Sequence, residues 1–268
     1  MRNIIFCLLL ITITIGCKKE IVYNDPIPKH DSLTIASKFV HEDRIINIWT
    51  PPNYNQTVDS FPVLYMPDGG IKEDFPHVAN TLAKLIKENK IPSYILVGIE
   101  NTKRGRDLCG PTKIEYDLSY IPNAGGANDF RNFIKNELFI AINKKYRTSS
   151  RKAIIGESLA GLFVVETFLL DNNMFDAYIA IDPSLWFNEN YLVANFKTLF
   201  SNNYNHQKKL WFANSDATDI SKHAKELNNQ LEQSNKNLIF KYTDASNEQH
   251  NTIFRATKEK ALIWTLNN

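Results

Sequence analysis

The chain has 268 residues, of which 43% are hydrophobic and 22% charged, so it can bury one large core and we expect one folded domain. Its formal net charge is +2, and no basic run is interleaved with aromatic residues, which argues against nucleic-acid binding. This charge gives no prediction about an anionic partner.

The N-terminus has the composition of an export signal. A short basic start precedes residues 4–15, which are almost wholly apolar but too few for a membrane-spanning helix. Gly16 stands directly before Cys17, which resembles a bacterial lipoprotein cleavage box, although Thr14 stands where Leu is usual. We expect residues 1–16 to be a lipoprotein signal peptide. A plain secretory signal or an uncleaved anchor is the alternative.

On this interpretation Cys17 is acylated, and the protein is exported and anchored by lipid to a bacterial membrane, facing the periplasm or the cell surface. Residues 17–31 are polar and contain prolines, which suits a tether, and residues 32–268 form the folded domain. Cys7 leaves with the signal, so Cys109 is the one free thiol and no intrachain disulfide can form.

The folded part alternates strands with helices. Two leading strands, 33–40 and 44–50, have no helix between them, which predicts an antiparallel edge. After them the hydrophobic pattern predicts strands at 61–66, 94–99, 177–181, 209–213 and 238–242, and helices at 75–89, 130–145, 219–234 and 252–266. A long polar loop covers residues 100–127, and loops of this length often form part of a site. The order predicts an α/β fold with a mostly parallel sheet and helices on both faces.

Residues 152–161 are the most informative stretch of the chain. A short apolar run ends in Gly156, and Ser158 and a helical apolar run follow, as in a nucleophile elbow that turns a strand sharply into a helix. The turn needs small residues two places either side of the serine. Gly156 and Ala160 meet that need, although Gly is usual where Ala160 stands. An ordinary turn is the alternative for a single match of this kind.

The later chain supplies the partners such a serine needs, in the order acid and then histidine. Asp216 and Asp219 follow the predicted strand 209–213, and His250 follows the predicted strand 238–242. A serine hydroxyl attacks weakly unless a base takes its proton. These positions therefore predict Ser158 as nucleophile and His250 as base. A surface histidine is the alternative for His250.

The chain resembles the esterase branch of the α/β-hydrolase fold, which includes enterochelin-type siderophore esterases, feruloyl esterases, S-formylglutathione hydrolase and mycolyl transferases. The resemblance extends from about residue 31 to the C-terminus and is greatest toward the siderophore esterases. Besides the elbow and His250, it rests on residues 48–54 (IWTPPNY), 62–69 (PVLYMPDG), 97–101 (VGIEN), 104–108 (RGRDL), 125–126 (GG), 145–148 (KYRT) and 183–186 (PSLW).

The resemblance also implies an oxyanion hole made of two backbone N–H groups. One is that of Leu159, directly after the serine, and the other is that of Gly70, directly after the Asp-Gly turn. Such donors must be in place before the tetrahedral intermediate forms. A plain turn is the alternative for the glycines around residue 70.

The acid is less clear, and its task is to orient His250. Asp216 lies nearest the end of its strand and is our first choice. Asp219 is an alternative that could instead cap a helix. Asp182, one strand earlier, stands where relatives often carry Ser and would serve if the acid has migrated. A Ser-His dyad without an acid is also open, as in some siderophore esterases.

The resemblance implies that Arg104, Arg106 and Trp186 border the substrate pocket, where the arginines would pair with an anionic or catecholate group. The alternative is that the arginines brace the long loop and Trp186 only packs. Glu157, the variable residue of the elbow, is expected to be structural. No metal or cofactor motif is present, so we expect neither a metal nor a cofactor.

The expected function is a serine carboxylic-ester hydrolase that works through an acyl-enzyme. Its substrate would be a small-molecule ester such as a siderophore lactone or an aryl or sugar ester. One alternative is an acyl transferase on the same fold, and another is an inactive binding lipoprotein. The sequence does not predict the oligomeric state.

Overall fold

The computed structural model describes residues 24–203, 208–234 and 238–267. The predicted signal peptide and the predicted lipidation site Cys17 lie outside the described residues. In the parts of the chain that are described, no helix combines the length and the apolar character needed to cross a bilayer.

A single eight-stranded sheet organises the molecule, in the order β1-β2-β4-β3-β5-β6-β7-β8. β1 and β2 pair antiparallel, as do β2 and β4, and every other pairing is parallel. The predicted α/β-hydrolase fold is therefore confirmed, including its antiparallel edge. The strands are β1 Asp31–Ser37, β2 Glu42–Trp49, β3 Phe61–Met66, β4 Ile95–Ile99, β5 Thr148–Glu157, β6 Ala177–Ile181, β7 Lys209–Asn214 and β8 Ile239–Asp244.

Helices cover both faces of the sheet. They are α1 Phe75–Lys87, α2 Arg104–Leu108, α3 Glu115–Tyr120, α4 Ala127–Phe133, α5 Phe139–Lys145, α6 Leu159–Leu170, α7 Phe187–Ala194, α8 Phe196–Asn203, α9 Thr218–Glu232 and α10 Ile253–Leu266. The helix predicted at 130–145 is α4 and α5 joined by a π-helical turn, Ile134–Leu138. The predicted loop at 100–127 holds the short helices α2 and α3, which hydrophobic periodicity cannot reveal at five and six residues.

The core lies in two layers, one on each face of the sheet. Successive residues of β3 alternate between them, with Val63 and Tyr65 in one cluster and Leu64 and Met66 in the other. Helix α6 packs in the first cluster, while α1 and α10 pack in the second. The helix that follows Ser158 is thus buried along almost its whole length, which fixes the serine relative to the sheet.

A buried ion-pair cluster attaches the segment after β4 to the sheet edge. The Arg44 side chain on β2 is fully buried and lies 2.5 Å from Asp107 of α2 and 2.8 Å from Glu42. The Arg106 guanidinium joins the same two carboxylates, each at 2.6 Å. Because a buried guanidinium needs charged partners, these contacts fix α2 in position.

Part of the predicted tether lies against the domain. The Asn80 side chain in α1 donates to the Pro26 carbonyl at 2.8 Å, and Arg255 in α10 pairs with Asp25. Strand β1 begins at Asp31, where the tether was predicted to end. The boundaries between signal, tether and domain stay predictions.

Candidate active site

Ser158 stands at a sharp turn between β5 and α6, with φ 59° and ψ −119°. This strained backbone is tolerated because the surrounding chain leaves no room to relax it. A Cβ added to Gly156 would lie 2.6 Å from the carbonyl carbon and oxygen of Ala160, so the strand and the helix meet too closely for any side chain there. A Cβ on Gly161 would lie 3.0 Å from the Ile181 carbonyl oxygen. Ala160 itself is fully buried.

The structure brings Ser158 and His250 together. His250 Nε2 lies 3.1 Å from Ser158 Oγ, and His250 Nδ1 lies 2.6 Å from Asp182 Oδ2. A nucleophile hydroxyl, a base and a carboxylate thus lie in sequence across the carboxyl ends of β5, β6 and β8. This geometry allows the imidazole to take the hydroxyl proton while the carboxylate stabilises the resulting imidazolium.

The carboxylate at His250 belongs to Asp182 and not to Asp216, so the structure corrects our first choice of acid. Asp182 follows β6, the strand beside the serine strand, and its backbone has φ 46°. Asp216 is exposed, and its N–H donates to the Glu248 carbonyl at 2.8 Å. The carboxylate that contacts His250 therefore lies one strand nearer the serine than our first choice, at a position that was one of the alternatives, and its catalytic role stays a prediction.

Ser215 holds Asp182 in position, and no pattern in the sequence singled it out. The residue directly after β7 is Ser215, whose N–H and hydroxyl both lie 2.6 Å from oxygens of Asp182. With the bond from His250, the fully buried carboxylate accepts three hydrogen bonds. A serine thus occupies the strand end where an acid was expected.

Ser184 is a second serine near the nucleophile. Its Oγ lies 3.4 Å from Ser158 Oγ, and its N–H donates to the Ser158 carbonyl at 3.1 Å. The backbone bond links the segment after β6 to the elbow and stabilises the position of Asp182 relative to Ser158.

The two predicted oxyanion donors differ in whether their N–H groups already donate a hydrogen bond. Leu159 is the first residue of α6, so its N–H has no acceptor within the helix and lies at the positive end of the helix dipole. The N–H of Gly70 donates to Glu73 Oε2 at 2.6 Å. Burial raises the pKa of Glu73. Both oxyanion roles stay predictions, and that of Gly70 requires Glu73 to release the N–H group.

Ser158 and His250 open into a cleft of about 490 Å³. Its wall carries a run of aromatic rings, in which Tyr116 contacts Tyr120 at 5.0 Å and Trp186 at 6.1 Å between ring centroids. Tyr116 and Tyr120 are largely exposed. The cleft therefore offers flat apolar surfaces beside the nucleophile. Its lining also includes Arg104, Ile121, Leu159, Ser184, Ala217, Asp219 and Ile220.

The two arginines predicted to bind substrate differ. Arg104 lines the cleft, and its Nε and Nη2 lie 2.7 and 2.8 Å from the two oxygens of Asp68 in a bidentate pair. Arg106 is bound to Glu42 and Asp107 in the cluster that attaches α2, so its contacts favour the alternative role as a loop brace. The cleft thus presents one guanidinium whose charge is partly balanced.

Electrostatics around the imidazole involve a further carboxyl group. The hydrogen bond that His250 donates to Asp182 raises the pKa of His250, and the charge of Glu157 acts in the same direction. Glu157 Oε1 lies 3.6 Å from His250 Nε2, and burial raises the pKa of Glu157 to about 8. Glu157 was expected to be structural, and the structure places it beside the base. Across the described residues, no group of three or more His, Cys, Asp or Glu is suited to hold a metal ion.

The fold and the site define an α/β hydrolase with a serine at a nucleophile elbow. The model of the esterase family, described as "Putative esterase", matches residues 37–266, and the chain belongs to this family. The expected resemblance is therefore confirmed.

Solved structures agree with this assignment. An IroE-like serine hydrolase from Shewanella oneidensis is 26% identical with a TM-score of 0.79, over 88% of this chain and 79% of that protein. The BES protein from Bacillus cereus has the same fold, with 21% identity and a TM-score of 0.79 over 93% of this chain and 99% of that one.

A curated relative is similar over a shorter segment. The ferri-bacillibactin esterase BesA of Bacillus subtilis is 28% identical over 174 residues, which are 57% of this chain and 58% of that protein. The match thus spans somewhat over half the length of this relative.

Proposed function

We propose that this protein is a serine esterase that hydrolyses a carboxylic ester through an acyl-enzyme at Ser158. The observation that carries the proposal is a pair of contacts made by His250. Its Nε2 lies 3.1 Å from Ser158 Oγ, and its Nδ1 lies 2.6 Å from Asp182 Oδ2. Membership of the esterase family supports the same reaction.

The chemistry follows from these contacts. Ser158 Oγ attacks the ester carbonyl while His250 Nε2 takes its proton, and Asp182 stabilises the imidazolium. The N–H of Leu159 donates to the oxyanion. The imidazolium then gives its proton to the leaving alcohol, and water attacks the acyl-enzyme in a second cycle of the same steps.

For the substrate we propose a siderophore lactone that carries catecholate rings. The cleft combines aromatic rings at Tyr116, Tyr120 and Trp186 with the guanidinium of Arg104, which suits a flat, electron-rich ring that carries negative charge. The relative BesA is named for a ferric siderophore, which supports this choice. For the cell we propose export and lipid anchoring at Cys17, on the sequence pattern alone.

A fluorophosphonate probe tests the reaction and a panel of esters tests the substrate. We expect the probe to label the wild type and not Ser158→Ala, and we expect this variant to lose about 10⁶-fold in kcat on any active ester. A catecholate lactone should exceed feruloyl and p-nitrophenyl esters in kcat/KM.

Other results would indicate a different function. A folded wild-type protein that the probe does not label would be a binding protein without this chemistry. Transfer of the acyl group to an added alcohol in preference to water would identify an acyl transferase.

A further inference from the structure

Glu157 occupies a position on the imidazole that the proposed reaction does not use. His250 Nδ1 is bound to Asp182, so Nε2 is the nitrogen that faces the nucleophile. Glu157 Oε1 approaches this same Nε2 at 3.6 Å. Two groups, the serine hydroxyl and the Glu157 carboxyl, thus lie around the one atom that must accept a proton.

The surroundings of Glu157 disfavour a permanent negative charge there. Its side chain is only 17% exposed, and two further carboxyl groups act on it, Asp74 at the N-terminus of α1 and Asp68 in the turn after β3. Arg104 on α2 acts in the opposite sense, but its guanidinium is already bound to both oxygens of Asp68. His250 is the remaining charged group that acts on Glu157.

A permanently ionised carboxylate beside Nε2 would favour the imidazolium and so remove the base. A neutral carboxylic acid leaves Nε2 free to accept the serine proton. Groups that interact this strongly lose their protons as a pair, so the ionisations belong to both residues together.

We propose that Glu157 is a positioning residue that shares one proton with His250, holding it in the resting enzyme so that Nε2 stays free for Ser158. This inference rests on the proposed role of His250 as the base. In the attack, the proton of Ser158 Oγ moves to Nε2 as the bond between Oγ and the carbonyl carbon forms. Glu157 holds the shared proton at neutral pH, and the pair loses it near pH 8.

Titration of the imidazole by NMR tests the proposal without any substrate. The chain has six histidines, and the His250→Gln variant assigns the resonances. We expect the wild-type His250 resonances to follow a two-step curve that extends to about pH 8. Glu157→Gln, which imitates the neutral acid, should give a single step with a lower midpoint, because the negative charge of Glu157 raises the pKa of His250.

Asp219→Asn is the matched control. Asp219 also raises the pKa of His250, but its effect is the smallest of the causes and it makes no ion pair with the imidazole. This variant should keep the two-step curve and lower the midpoint less than Glu157→Gln does. A single-step wild-type curve that Glu157→Gln leaves unchanged would overturn the proposal.

The pH profile of kcat/KM supplies a second readout. With a neutral p-nitrophenyl ester, the wild type should show a second step near pH 8, where the shared proton is lost and the charge beside Nε2 changes. Glu157→Gln should lack this step. If no ester is hydrolysed but the NMR curves behave as expected, the proposed function fails and the proton sharing stands. A step that persists in Glu157→Gln contradicts the proton sharing alone.

Discussion

The two flanks of Ser158 differ in how completely they are assembled. On the acid flank, formed by Asp182, Ser215 and His250, the three hydrogen bonds to the Asp182 carboxylate are already formed at 2.6 Å. The oxyanion flank is formed by Asp68, Gly70, Glu73 and Arg104. There the N–H of Gly70, which catalysis would use, already donates a hydrogen bond to the carboxyl group of Glu73.

The difference shows where the molecule fixes its geometry. On the acid flank, Asp182 and Ser215 directly follow parallel strands, whose ends meet at one edge of the sheet, and His250 lies in the segment after β8. The oxyanion flank is built from a turn and from the segment after β4, and it depends on ion pairs for its position. We therefore expect changes on the acid flank to remove activity and changes on the oxyanion flank to adjust it.

Asp182→Asn should have the largest effect on the acid flank. The amide cannot hold the imidazole in the correct tautomer, so kcat should fall by about 10⁴-fold while the protein stays folded by circular dichroism. Asp216→Asn is the control, because the side chain of Asp216 is exposed and only its backbone is bound. A loss of equal size in Asp216→Asn would contradict the assignment of the acid.

Gly156→Ala should have the next largest effect, and we expect this effect on the stability of the fold. The added methyl group would lie 2.6 Å from the Ala160 backbone, where neither element can move without displacing the buried helix α6. Overpacking of this kind destabilises by about 1–3 kcal/mol, which urea denaturation measures.

Gly110→Ala is the matched control for Gly156→Ala. Its added methyl would meet the end of the Glu166 side chain at 3.1 Å, and a side chain can move away more easily than backbone. Gly110→Ala should therefore destabilise the protein less than Gly156→Ala does. Equal destabilisation of the two variants would mean that the close approach at the elbow is not what limits substitution there.

The sequence predicted the fold and the serine–histidine pair because both depend on local patterns. Alternating strands and helices indicate the sheet, and Gly156 before Ser158 indicates the turn. His250 was found by its place after the last strand, and the structure puts its Nε2 within 3.1 Å of the serine.

The choice of acid went wrong because it depends on contacts across strands. Asp182 and Asp216 both follow strand ends, and only the tertiary positions of His250 and Ser215 show that they bind Asp182. Glu157 and Glu73 were missed for the same reason. Neither the approach of Glu157 to His250 nor that of Glu73 to Gly70 leaves a pattern in the sequence.

Glu73→Ala tests whether the oxyanion flank holds a usable donor. The N–H of Gly70 now donates to a carboxyl group, and a hydrogen bond to a charged group contributes about 1.5–3 kcal/mol. Without that acceptor the N–H is free for the oxyanion, and we expect kcat to rise by up to about tenfold. Glu73→Gln keeps an acceptor, so its kcat should lie between those of the wild type and Glu73→Ala. A fall in kcat for Glu73→Ala would mean that Glu73 instead maintains the shape of the turn.

Glu42→Gln should have the smallest effect, and it concerns the support of the oxyanion flank at low pH. Hydrogen bonds from Arg106, Thr102 and Arg44 outweigh desolvation and lower the pKa of Glu42 from 4.5 to about 2. Because the pKa is lower in the folded state, this contribution to the free energy of unfolding is complete above pH 4.5 and is lost as the pH falls toward 2.

Urea denaturation at several pH values between 5 and about 2 measures this effect as a slope of stability against pH. Glu42→Gln should flatten the slope, since the amide does not titrate. Glu88→Gln removes the same charge from an exposed pair with Lys90 and should leave the slope nearly as in the wild type. If both variants flatten the slope equally, overall charge and not the Arg44 cluster governs the acid sensitivity. The position of Arg104 in the cleft would then not depend on the protonation of Glu42.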